Sequence, residues 1–277
     1  MATGMAWRAM AGLLMTAAFL VSVRAPAGAT PGDVLGGMRL AASQLDEKDP
    51  DVAAALREAQ AVSAARAAAG PEASARSLIR EGRDGKPSIS LAYPAFGIDG
   101  VDEDIRLWIE SIAATFEREL MSGFGNDEEL EKYELTCSYS ISRPSADAVS
   151  VLFEIWTYTG GAHGNLDLIT LNYSFITGQR LTLVDIFEDV DKALALMSAT
   201  SREVLMRRLG GGVGEQMILD GTEPDVNNFS SLSLDPDGVR IHFQPYQVAP
   251  WAAGAQSVSM SLEQLAPARP FKRLWHK

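Results

Sequence analysis

Apolar and polar residues first alternate at Ile89, Leu91 and Tyr93, and the run stops at Pro94, which predicts a short strand. The period then changes. Ile105, Trp108, Ile109, Ile112, Phe116 and Leu120 recur at helical spacing and form one stripe. Asp102 stands where an N-cap belongs, and Glu103 and Asp104 follow in the first turn, where acids suit the helix dipole. Alternation returns over residues 133–141, where Tyr133, Leu135, Cys137, Tyr139 and Ile141 share a face. After the turn residues Pro144 to Asp147, Val149, Val151, Phe153 and Ile155 line one face of a strand, and Leu152, Trp156 and Tyr158 the other. Two apolar faces predict a central strand covered on both sides. A glycine-rich turn, Gly160-Gly161-Ala162-His163-Gly164-Asn165, reverses the chain into Ile169, Leu171, Tyr173 and Phe175 at period two.

A second helix is predicted over residues 190–209 from Leu194, Met197, Val204, Leu205 and Leu209, stopped by Gly210-Gly211-Gly212. Leu232 and Leu234, the turn Asp235-Pro236-Asp237-Gly238, and Val239, Ile241 and Phe243 predict a hairpin. Val258, Met260 and Leu262 make the last strand. Runs of strands beside segregated helices specify an α+β fold: an antiparallel meander with two main helices packed against it. This domain is expected over residues 87–277, with a short leading subdomain over 87–125. Residues 30–86 read as an Ala-rich helical arm and linker. Its helix, over residues 51–68, has only Val52, Leu56 and Val62 as larger apolar side chains, so it buries little.

The first 29 residues differ from the rest. Arg8 precedes an uncharged apolar stretch from Met10 to Val23, and Ala27-Gly28-Ala29 offers a cleavage site, as in a secretory signal peptide. The stretch is short for a membrane span, which takes about 20 residues, although an uncleaved anchor is the alternative. No cysteine follows for lipid attachment, so a periplasmic or secreted protein without a transmembrane helix is expected. The 277 residues carry a net charge of -12, and losing Arg8 and Arg24 would take it to about -14. Such acidity disfavours nucleic acid, whose phosphates need Lys and Arg. It serves solubility, or the steering of a basic protein partner. Cys137 is the single cysteine; it cannot close an intramolecular disulfide, and its strand period makes it a small core residue.

Catalytic signatures are missing from the sequence. There is no Cys pair with zinc spacing and no H-E-x-x-H, and the three histidines stand apart at 163, 242 and 276. His242 alternates with Ile241 and Phe243, which places it on a solvated strand face. No G-x-S-x-G elbow, P-loop or dinucleotide fingerprint occurs, so no cofactor, metal or catalytic residue is assigned. Acidic residues in a groove would be the means of a hydrolase, the alternative class. Two segments carry residues beyond what packing asks for. One is Tyr158-Thr159-Gly160-Gly161-Ala162-His163-Gly164, where the glycines imply positive φ and the imidazole either caps a local carbonyl or meets a ligand. The other is Phe243 to Gly254, where two prolines deny a regular ladder and Tyr246 and Trp251 serve either the core or an interface. Tyr158, Gly160, Gly161, His163, Tyr246 and Trp251 are the candidate binding residues.

These segments resemble one family. Gly160-Gly161-Ala162-His163, the run Thr177 to Phe187, Asn228-Phe229 and the run Phe243 to Gly254 occur in order, as in the domain of unknown function at the C-terminus of the anti-sigma factor RsiV, also found beside the catalytic domain of a peptidoglycan deacetylase. The likeness spans residues 87–265. It implies an antiparallel sheet with packed helices, and recognition in the cell envelope of lysozyme or a wall component in place of chemistry. No catalytic residue transfers.

Overall fold

A computed structural model describes residues 70–275 other than 84, 122–126 and 210–213. They lie within one unit, Ala69–Lys277. The expected signal peptide, the helix over 51–68 and the glycines 210–212 fall outside the described residues.

The fold is α+β and is built on two sheets. The larger runs in the order β1 (Ser74–Arg80), β2 (Ser88–Ala95), β3 (Glu134–Ser145), β4 (Ala148–Tyr158) and β5 (Asn165–Ser174). Between β2 and β3 the chain passes through α1 (Asp99–Glu119). That crossover makes β2 and β3 parallel, whereas every other pair is antiparallel. The pure meander expected from the pattern therefore holds for β3, β4 and β5 and fails at one junction. The helix stripe is the reason: Val101, Ile105, Ile109, Ala113 and Phe116 are buried against Ile89, Leu91, Leu135, Val149, Val151 and Phe153. Each large side chain so buried contributes about 1.5–3 kcal/mol.

Two local readings need correction. Asp102 does not cap α1, which begins after Ile98; its carboxylate reaches back to accept the N–H groups of Phe96 at 2.7 Å and Gly97 at 2.8 Å. The edge strand β1 lies in a stretch read as arm and linker. Six of its seven residues are exposed, so alternation leaves no apolar signature there.

The second sheet holds β6 (Leu232–Asp235), β7 (Gly238–Phe243) and β8 (Gln256–Ser261), all antiparallel. Leu262 does not extend β8: Ser261 caps a short helical turn beginning at that residue. After the short helix α2 (Leu183–Ile186), helix α3 (Val190–Leu209) covers this sheet with Ala193, Leu194, Met197 and Leu205, packed with Leu232, Leu234, Ile241, Phe243 and Met260. A buried polar seam joins the sheets. Ser150 Oγ accepts the Leu234 N–H at 2.6 Å and bonds Asn172 Oδ1, while Asn172 Nδ2 donates to Leu232 O at 2.8 Å. Thr170 Oγ1 meets Ser231 Oγ at 2.9 Å. The second face of β4 is thus polar at Ser150, where the sheets meet.

His242 is buried, contrary to the solvated position its alternation suggested. Its Nε2 lies 2.9 Å from Ser233 Oγ, and burial, with Arg240 nearby, pushes the imidazole down to about 4. The face it occupies is polar in sequence, closed at Ser233 and His242 and open at Arg240.

Candidate functional site

The chain leaves β4 through Tyr158 and re-enters the sheet at Asn165. Gly160 and Gly161 have φ of +91° and +90°, a backbone region costly to any side chain. The Tyr158 hydroxyl donates to Gly161 O at 3.3 Å, which ties the loop to its own strand. Gly164 answers a different need. A Cβ there would lie 2.6 Å from two ring carbons of Trp156 and 2.8 Å from Thr157 O, so its bare Cα lets the indole lie flat across the turn. His163 is exposed, and its Nδ1 donates to Gly164 O at 2.8 Å.

The segment after β7 comes to the same place. Gln244 stands in for a missing strand beside β5: its Oε1 accepts the Leu168 N–H at 2.7 Å and its Nε2 donates to Leu168 O at 2.6 Å. Gln247 fixes the next turn, accepting the Gln244 N–H at 2.9 Å and donating to Gly221 O and Asn228 O, both at 3.0 Å. Between these amides Tyr246 is held at φ +68° and is 54% exposed. A bulky L-residue in this region is strained, and only its over-determined neighbours keep it there. Trp251 opens a 3₁₀ turn, Trp251–Ala253, directly after Pro250.

Four rings therefore converge from two distant segments. His163 stacks on Trp251 with centroids 4.8 Å apart and planes 13° apart. Tyr246 lies 5.8 Å from Trp251 at 31°, and Trp156 lies 6.3 Å from it at 45°. Of the residues singled out in the sequence, His163, Tyr246 and Trp251 join this cluster, while Tyr158, Gly160 and Gly161 shape the loop beneath. Trp156 was not singled out, because it obeys the strand period. Its signal was the glycine eight residues on, which only a close approach requires.

Among the described residues, no three His, Cys, Asp or Glu side chains are grouped as a metal ion would need. Burial pushes the Cys137 thiol up to about 12, so it stays protonated at neutral pH and packs as an apolar group. Asp167, opposite Ile155, is raised by burial alone. No helix among the described residues is long and apolar enough to cross a membrane.

Residues 184–263 match the DUF3298 family. Its description is a protein of unknown function, and the matched stretch includes Gln244, Tyr246, Gln247 and Trp251. The chain is similar to the peptidoglycan-N-acetylmuramic acid deacetylase PdaC of Bacillus subtilis strain 168, 27% identical over 178 residues. That alignment covers 64% of this chain and 38% of PdaC, so the chain spans well under half the length of that relative. A DUF3298 protein of Pseudomonas aeruginosa PAO1 shares the fold, with a TM-score of 0.51 and 14% identity over 74% of this chain and 96% of that one. A DUF3298 member from Bacteroides fragilis NCTC 9343 gives a TM-score of 0.47 at 17% identity, covering 71% and 93%.

Proposed function

We propose that this chain is a non-enzymatic recognition domain of the bacterial cell envelope, acting outside the cytoplasm and meeting its partner through the rings of Trp156, His163, Tyr246 and Trp251. The observation that carries the reading is the half-open cluster itself. Its exposed members, His163 and Tyr246, are held by glycines, amides and a strained φ, and none of them is needed to close the core. Similarity to PdaC, which acts on peptidoglycan by name, favours a wall component as the partner. A basic, lysozyme-like protein is the second reading, favoured by the net charge of -12, which steers cationic proteins toward the surface.

The experiment is co-sedimentation of the full chain with purified peptidoglycan sacculi, beside calorimetry with lysozyme. Retention on sacculi, weakened about tenfold or more by Trp251→Ala, is expected, as for a central aromatic anchor. Failure to bind either probe, or binding indifferent to Trp251→Ala, would overturn the reading. Release of acetate or of reducing ends from sacculi would show a wall-directed enzyme instead.

A further inference from the structure

The side of the larger sheet facing away from α1 is only partly covered. The pairing fixes which residues share it. Ile79, Ser90, Thr136, Trp156 and Leu166 lie in register across all five strands. One neighbouring row holds Ser88, Glu134 and Tyr158; the other holds Ser138, Glu154 and Leu168. Ser90, Glu134, Ser138 and Glu154 are exposed, and Thr136, Trp156 and Tyr158 are partly so. Ser138 Oγ donates to Glu154 Oε2 at 3.4 Å. By the alternation of strand side chains, no Lys, Arg or His of these five strands points to this side. The patch runs directly into the ring cluster through Trp156.

We propose that this patch, Glu134, Thr136, Ser138, Glu154, Trp156 and Tyr158, binds an amino-sugar glycan whose amino groups are free and protonated. The proposal rests on the envelope reading above and names the ligand class. Three features of the ligand match three of the patch. The C–H face of a pyranose ring stacks on an indole, and Trp156 and Trp251 offer two at adjacent positions. Ammonium groups on separate sugar units find Glu134 on one side of the Trp156 row and Glu154 on the other, with no Lys, Arg or His from these strands, and cation–π attraction from the rings adds to the same preference. Sugar hydroxyls find Thr136 and Ser138 between them. Along the strands the two carboxylates stand four residues apart, about 13 Å, so a glycan of several units is needed to engage both. An N-acetylated glycan keeps the stacking but loses the charge pairing.

Calorimetry of the full chain with a glucosamine hexamer and an N-acetylglucosamine hexamer, at mildly acidic pH and low salt, tests this. The glucosamine hexamer is expected to bind about tenfold tighter or more. Combining Glu134→Gln with Glu154→Gln should erase that preference. Both glutamates are exposed, so folding is preserved, which circular dichroism checks. Trp156→Ala should weaken both ligands. Equal or tighter binding of the acetylated hexamer, or a preference that survives the double Gln variant, overturns the proposal. If neither hexamer binds while sacculi or lysozyme are held through Trp251, the glycan inference falls and the envelope reading stands. If those probes fail as well, both fall.

Discussion

His242 makes fold stability depend on pH in a defined window. Its imidazole is buried against Ser233 and is pushed down to about 4 by burial, with Arg240 adding to the effect and Asp235 opposing it. In the unfolded chain the same group titrates near 6.5. Above that value it is neutral in both states and stability is flat. As the pH falls below 6.5 the unfolded state takes up the proton first, so the folded state loses about 1.4 kcal/mol per pH unit. The loss ends near pH 4, where folded His242 is protonated too, and totals about 3 kcal/mol. Carboxylates also titrate in this window, so the comparison is with His242→Gln, whose amide still reaches Ser233 and cannot titrate. Urea unfolding across pH 4–7 should show the native protein losing about 3 kcal/mol more than the variant between the ends of the range. Parallel curves for the two proteins would refute the buried, neutral His242.

Two further outcomes test the site's construction. At Tyr246 the left-handed backbone should reverse the usual order of small residues: Tyr246→Gly should be more stable than Tyr246→Ala by about 0.5–1 kcal/mol in denaturant titration, and the opposite order would mean no strain at φ +68°. Gly164→Ala forces a methyl group to within 2.6 Å of Trp156 and should cost about 1–3 kcal/mol with a changed near-ultraviolet signal; a neutral effect would mean that the indole does not rest on this turn.

The parts of the fold legible in the sequence are those where one face is apolar and long. The stripes of α1 and of α3, over Val190–Leu209, could be read because helical spacing repeats through several turns. β1 could not, because an exposed edge strand has no apolar face to alternate. Nor could the parallel pairing of β2 and β3, since a crossover helix shows in the sequence only as a helix. His242 failed for a related reason: Ser231 and Ser233 beside it are buried, and Ser231 bonds Thr170 of the larger sheet, a tertiary fact. At the site, the glycines around His163 and the prolines around Tyr246 and Trp251 broke the local pattern and drew notice. That the two segments touch was not legible, because nothing in either encodes the other. Gln244 was not among the candidates, yet its amide ties the second segment to both backbone groups of Leu168.

The stacking of His163 on Trp251 has a consequence for the timing of competence. One ring comes from a turn of the larger sheet and the other from the crossing between β7 and β8, so neither sheet alone assembles the ring cluster. Contacts of such long sequence separation form late in folding. A chain whose smaller sheet has come loose keeps Trp156 and His163 but loses Tyr246 and Trp251 from beside them. The four-ring cluster therefore exists only where the whole domain is assembled, which ties any contact made through it to the intact fold.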